Sequence, residues 1–256
     1  MDLGIEGKVA LVTGASSGIG EAVALALAAE GVRLAVTARR APLLDGVAAR
    51  AKSAGATDAR GFAADLSDAP SRAAMLAHVR EAFGDPDIVV LNGGGPRAGT
   101  FTGVAIGDWD GAYRSLLRSH VELLEQVVPP MRARRWGRIV ALASTSVRQP
   151  IANLVLSNAF RTALTSTLKT LSNEVAADGV TVNTIATGRI DTARLRSLYG
   201  DDEHALREAA AEVPARRIAA PGEFAPLVAF LCGAPASYVT GQTIAIDGGL
   251  VRGLFG

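Results

Sequence analysis

Short, almost unbroken apolar runs recur along the chain. They alternate with longer Ala- and Leu-rich stretches in which apolar residues return every three or four positions. The first kind of run reads as a buried strand, the second as a helix with one apolar face. The pattern predicts strands over residues 8–13, 33–37, 59–63, 88–91, 138–143, 181–186 and 243–246. Between them it predicts helices over 19–30, 43–54, 70–83 (opened by Ser67 or Asp68), 109–134, 153–177, 192–211 and 223–232, with a bend near Pro129-Pro130. Strand–helix alternation of this kind gives a parallel sheet covered on both faces, so a single α/β domain over residues 1–256 is expected: a doubly wound sheet in a three-layer αβα sandwich. Ligands bind such sheets beyond the carboxyl ends of the strands. The loops that follow the strands are therefore where chemistry is to be sought.

Composition narrows the function classes. With 26 basic and 25 acidic residues the net charge is +1, so no global field favours nucleic acid or an anionic membrane. The single cysteine, Cys232, excludes an internal disulfide, and His78, His120 and His204 are too widely spaced to suggest a metal site. No apolar run reaches the ~18 residues of a membrane-spanning helix, and the acidic start Met1-Asp2-Leu3 is unlike a signal peptide. A cytoplasmic protein without a metal is expected. Arg outnumbers Lys 23 to 3, and there are only three Tyr.

The first candidate site lies between the first strand and the first helix, at Thr13-Gly14-Ala15-Ser16-Ser17-Gly18-Ile19-Gly20. Glycines there permit a tight turn and close approach of a pyrophosphate, and the following helix offers free N–H groups to it. Gly14, Ser16, Ser17, Gly18, Ile19 and Gly20 are thus candidate dinucleotide contacts. The second strand ends Ala38-Arg39-Arg40, without the carboxylate that would take both ribose hydroxyls of NAD. Arg39 offers a guanidinium to a 2′-phosphate instead, so NADP(H) is expected over NAD(H). Asp65-Leu66 can meet the adenine, and Asn92-Gly93-Gly94 lets backbone approach the cofactor.

These motifs, with Gly137-Arg138-Ile139-Val140 leading to Ser144, Val182-Asn183, Gly188 and Gly241-Gln242 through Gly249, resemble the short-chain dehydrogenase/reductase family over essentially the whole chain. The look is nearest to 3-oxoacyl-acyl-carrier-protein reductases. The resemblance implies a Rossmann-type fold, a nicotinamide dinucleotide, hydride transfer between it and a small carbonyl or alcohol substrate, and a homotetramer or dimer. It also implies that Ile190 and Thr192 reach the nicotinamide carboxamide. Helices 109–134 and 153–177 are expected to carry the subunit contacts.

The family's catalytic set is a Ser, a Tyr thirteen residues later, a Lys four beyond the Tyr, and an Asn on the preceding helix. Ser144 fits the first; the others fall on Ser157, Arg161 and Leu116. An aliphatic hydroxyl is a far weaker acid than a phenol with a pKa near ~10. Arg161 can hold ribose hydroxyls or stabilise an oxyanion but cannot shuttle a proton at neutral pH. The resemblance thus leaves two readings. One is an NADP(H)-dependent reductase in which Ser144, Ser157 and Arg161 polarise the carbonyl and another group or water gives the proton. The other is a nucleotide-binding paralogue acting as a structural or regulatory partner. The first is preferred. Tyr199 and His204 in the segment over the substrate, His120 on the helix face of Leu116, and Asn158 beside Ser157 are further polar candidates. Each also reads as an ordinary surface or packing residue. Arg97 in the loop Gly94-Gly95-Pro96-Arg97 meets either an anionic substrate or solvent.

Overall fold

The computed structural model describes residues 1–254. Its strands are β1 (Val9–Thr13), β2 (Arg33–Ala38), β3 (Asp58–Ala63), β4 (Ile88–Leu91), β5 (Gly137–Leu142), β6 (Val180–Thr187) and β7 (Thr243–Ile246). They form one parallel sheet in the order β3-β2-β1-β4-β5-β6-β7. The helices are α1 (Gly18–Ala28), α2 (Ala41–Ala54), α3 (Ala69–Phe83), α4 (Ile106–Tyr113), α5 (Ser119–Ala133), α6 (Val155–Val175), α7 (Ala193–Leu198), α8 (Glu203–Glu212) and α9 (Pro221–Cys232). The sheet runs outward in both directions from the β1–β4 junction, which makes it a Rossmann-type sheet with its switch point between those two strands.

Central strands are apolar at every position because both faces are covered. Ala10, Val12, Val36, Val140 and Ile185 point into one core layer with α1, α2 and α9. Val9, Leu11, Ala35, Ile139 and Val182 point into the other, with α3, α5 and α6. Side chains alternate across each strand, so both layers form from the same runs.

Several boundaries depart from the sequence pattern. The expected helix 192–211 is two helices, α7 and α8, broken where Gly200 (φ 66°) and Asp201 (φ 55°) turn left-handed. Asn153 (φ 59°) lies outside α6, which starts at Val155. Asp68, rather than Ser67, caps α3 by accepting from the Ser71 N–H at 2.9 Å. α5 runs through Pro129 and Pro130 to Ala133 without ending at them. Pro130 frees the carbonyl four residues before it, and that oxygen, of Gln126, accepts from the Arg80 guanidinium at 2.9 Å. The break in regularity is a wide π turn at Arg114–Arg118 between α4 and α5. Such insertions recur at functional sites.

Candidate active site

The turn after β1 is built so that backbone can approach a ligand. Gly14 (φ 59°) and Gly18 (φ 61°) take left-handed conformations. A Cβ on Gly20 would lie 2.3 Å from the Gly14 carbonyl oxygen and 2.7 Å from the Asn92 side-chain nitrogen, so only glycine fits where α1 leaves the turn. Thr13 stitches β1 to β4: its hydroxyl donates to the Asn92 carbonyl at 2.7 Å and accepts from the Asn92 N–H at 2.7 Å. Asn92 Nδ2 in turn donates to the Gly14 carbonyl at 3.1 Å. These bonds clamp the Gly14 and Gly93 loops together at the switch point.

A cleft of about 970 Å³ opens beyond these strand ends. The residues expected to contact the cofactor or the carbonyl line it: the glycine turn, Arg39, Asp65, Leu66, Asn92, Gly93, Gly94, Ser144, Ser157, Arg161, Gly188, Ile190 and Thr192. Arg40, which the sequence reading left out, lines it too. Its Nη2 donates to Ser16 Oγ at 2.9 Å and Ser17 Oγ at 3.0 Å, so it lies across the glycine turn. Asp65 is committed to its own loop: Ser67 donates to Oδ1 through its hydroxyl at 2.7 Å and its N–H at 2.9 Å. Those bonds, with the nearby Arg39 charge, hold its carboxyl below the usual range.

At the other end, Ser157 and Arg161 stand one turn apart on α6. Ser157 is buried, and Arg161 Nη1 donates to the Leu142 carbonyl at the end of β5 at 2.9 Å. Burial first, and then the charge of Arg194, pull Arg161 down to about 10, so it stays cationic at neutral pH. His120 also lines the cleft, in contact with Gly93. Its Nδ1 lies 3.1 Å from the Leu116 carbonyl and therefore carries the proton, which leaves Nε2 as an acceptor. Burial and the Arg161 charge pull it down to about 4. The ring is neutral at pH 7 and is no acid there.

A second cavity, of about 370 Å³, adjoins the first. Ser144, Leu154, Thr187, Gly188, Leu195 and Leu198 line both. The β5–β6 register, Leu142 beside Ile185, brings Ser144 and Thr187 to the ends of neighbouring strands. The Thr187 hydroxyl is buried at this border and has no hydrogen-bond partner among the described residues. Tyr199 lines the second cavity, whereas His204 lies outside both, exposed and 3.7 Å from Glu208. Asn158 is spent on Ile151, donating to its carbonyl at 2.9 Å, and Arg97 pairs with Asp108 at 2.7 Å. Neither reaches the cleft. The signal for Arg40 was present in the sequence beside Arg39; the contact with Ser16 and Ser17, 24 and 23 residues away, was not.

The family model described as enoyl-(acyl carrier protein) reductase matches residues 14–251. The chain belongs to the short-chain dehydrogenase/reductase family. It is 35% identical over 248 residues to the 3-oxoacyl-[acyl-carrier-protein] reductase FabG of Escherichia coli, covering 97% of this chain and 99% of that protein. A ketoacyl reductase of Streptomyces coelicolor, so named with reserve, is 34% identical over 255 residues, covering 96% and 97%. Among solved structures, the L-sorbose reductase of Gluconobacter frateurii, complexed with NADPH and L-sorbose, superposes with a TM-score of 0.93 at 34% identity, covering 99% of this chain and 100% of that one. An actinorhodin polyketide ketoreductase variant with NADPH gives 0.91 at 33% identity, covering 96% and 98%. Among the described residues no helix is long and apolar enough to cross a membrane, and no cluster of His, Cys, Asp or Glu suits a metal ion.

Proposed function

We propose that the protein is an NADP(H)-dependent short-chain reductase that transfers a hydride to the carbonyl of a small ketone or 3-oxoacyl thioester, with an altered proton-donor arrangement. The observation that carries this reading is the border between the two cavities: the dinucleotide-sized cleft and the second cavity share Ser144 and Thr187. A reduced nicotinamide would supply the hydride. Gly14 through Gly20 fit a pyrophosphate, since a side chain on Gly14 or Gly20 would collide with backbone. Arg39 and Arg40, with no carboxylate at the end of β2, suit a 2′-phosphate.

At the carbonyl, Ser144 donates a hydrogen bond to the substrate oxygen. Arg161 holds ribose hydroxyls and its charge stabilises the developing oxyanion. Ser157 and Arg161 occupy the places where the family has its Tyr and Lys. Ser157 is too weak an acid to be the primary donor, so it passes a proton from solvent. Nothing in this arrangement needs a second subunit for chemistry, and a homotetramer or dimer is expected from the family resemblance alone.

The test is a fluorescence titration followed by a turnover screen against 3-oxoacyl thioesters, quinones and simple ketones. NADPH binds more tightly than NADH, and at least one ketone is reduced with Ser144→Ala inactive. If the native chain binds NADPH but turns nothing over, while Ser157→Tyr with Arg161→Lys gains activity, the non-catalytic reading replaces this one. Ser157 and Arg161 are the observation that favours that second reading.

A further inference from the structure

Four guanidiniums line the cleft, from Arg39, Arg40, Arg161 and Arg194, against one carboxylate, Asp65, among the described residues. Arg39 and Arg40 lie at the end of β2 and face Asp65 or the glycine turn. The other two sit together at the opposite end, near enough that the charge of Arg194 lowers Arg161. No ion pair to a carboxylate is present for either of them among the described residues. The Arg161 contact is the Leu142 carbonyl, and the Arg194 contact is the Pro96 carbonyl, 2.7 Å from its Nη2.

Arg194 comes from the segment that crosses over the cleft. Thr192, two residues earlier, packs on the glycine turn: a Cβ on Gly18 would meet its methyl at 3.1 Å. Arg194 then lies flat on the loop after β4, where a Cβ on Gly95 would fall 2.4 Å from its Nε. Gly95 therefore makes the space that the guanidinium fills. The glycine turn, the loop after β4 and Arg194 thus line the cleft together. Two like charges brought together without a counter-charge are unfavourable unless an anion joins them.

Resting on the dinucleotide reading above, we infer that Arg194 is a pyrophosphate-holding residue: it takes an oxygen of the nicotinamide-side phosphate of the bound dinucleotide. Arg161, cationic at neutral pH, adds to the field there. The bond to the Pro96 carbonyl keeps Arg194 beside the cleft before a ligand arrives. A residue with this role acts on every ligand that carries the pyrophosphate and is indifferent to the 2′-phosphate, which separates it from Arg39 and Arg40.

The experiment measures dissociation constants of the full chain for NADPH, NADH, ADP-ribose and 2′,5′-ADP by fluorescence or calorimetry, in the native protein and in Arg194→Ala, Arg194→Lys and Arg39→Ala. Arg194→Ala is expected to weaken NADPH, NADH and ADP-ribose alike, by about tenfold or more, the scale of a lost charge-assisted hydrogen bond. It leaves 2′,5′-ADP, which keeps the adenosine-side phosphate but lacks the nicotinamide-side one, within about twofold by the same reasoning. Arg194→Lys recovers part of the loss. Arg39→Ala weakens only NADPH and 2′,5′-ADP. Equal affinity of native and Arg194→Ala protein for ADP-ribose overturns the assignment, and so does an effect confined to the KM of an anionic ketone, which would put Arg194 on the substrate. An effect on all four ligands overturns it as well, since that would be a structural role of the Pro96 contact. Native protein that binds none of the four refutes the dinucleotide reading together with this one, whereas binding that ignores Arg39 refutes only the NADP(H) preference.

Discussion

His120 makes the protein's stability depend on pH in a way that can be worked from its surroundings. The side chain is 3% exposed, sits within reach of the Arg161 and Arg72 charges, and is pulled from 6.5 to about 4, burial being the larger cause. A histidine whose pKa is lower in the folded chain binds its proton first in the unfolded chain. Stability from this group is therefore complete above about pH 6.5 and drains away as the pH falls towards 4. The full span is worth about 3 kcal/mol, and about 2 kcal/mol of it is lost between pH 7 and pH 5. For a chain of this size that corresponds to a fall of roughly 4–8 °C in Tm.

Other groups also change the pH dependence of unfolding, so the informative quantity is a difference. His120→Gln keeps a polar side chain without the titration. Urea unfolding of both proteins at pH 7 and pH 5 gives four free energies. The variant is less stable at pH 7 by whatever the substitution costs, and that gap closes by about 2 kcal/mol at pH 5. Two curves that stay parallel between those pH values would refute a buried neutral imidazole at the cleft.

Three further outcomes are expected. Gly20→Ala places a methyl 2.3 Å from the Gly14 carbonyl oxygen, so the turn must shift; NADPH affinity falls at least about tenfold, and urea unfolding shows a loss of about 1–3 kcal/mol. Ser144→Ala, at the border of both cavities, lowers kcat about 100-fold in steady-state assays while the NADPH Kd changes by less than about twofold. Arg39→Ala combined with Arg40→Ala removes both guanidiniums from the end of β2, so the NADPH Kd rises towards that of NADH while the NADH Kd holds; an unchanged NADPH/NADH ratio counts against the 2′-phosphate assignment.

The fold was legible because both of its signals are local. An apolar run that alternates between two covered faces must be an inner strand, and Val9–Thr13 and Ile88–Leu91 read that way without any knowledge of their neighbours. The glycine turn was legible for the same reason: glycine enters the left-handed backbone of Gly14 and Gly18 without steric cost, and its spacing between a strand and a helix is local. Helix ends were harder. Asn153, Gly200 and Asp201 break their helices through backbone conformations that their residue types allow but do not compel. Ser144, Ser157 and Arg161 were placed by the family resemblance, through its catalytic spacing along β5 and α6, and all three line the cleft.

What the sequence by itself determined is the alternation of elements, the parallel sheet and the glycine-rich turn after the first strand, because each follows from a pattern within a few residues. Only the tertiary structure decided the electrostatics of the site. Arg40 over Ser16 and Ser17, Arg194 on Gly95 and Pro96, and His120 between Leu116 and Gly93 all lie where long or buried side chains meet loops from other strands. A guanidinium's role depends on which carboxylate, carbonyl or open cleft it meets. Arg97, one residue from Pro96, found Asp108, while Arg194, 98 residues from Pro96, pairs with no acid among the described residues and lines the cleft. Coulomb energy depends on distance in space and on local solvent, and neither is written in the order of residues.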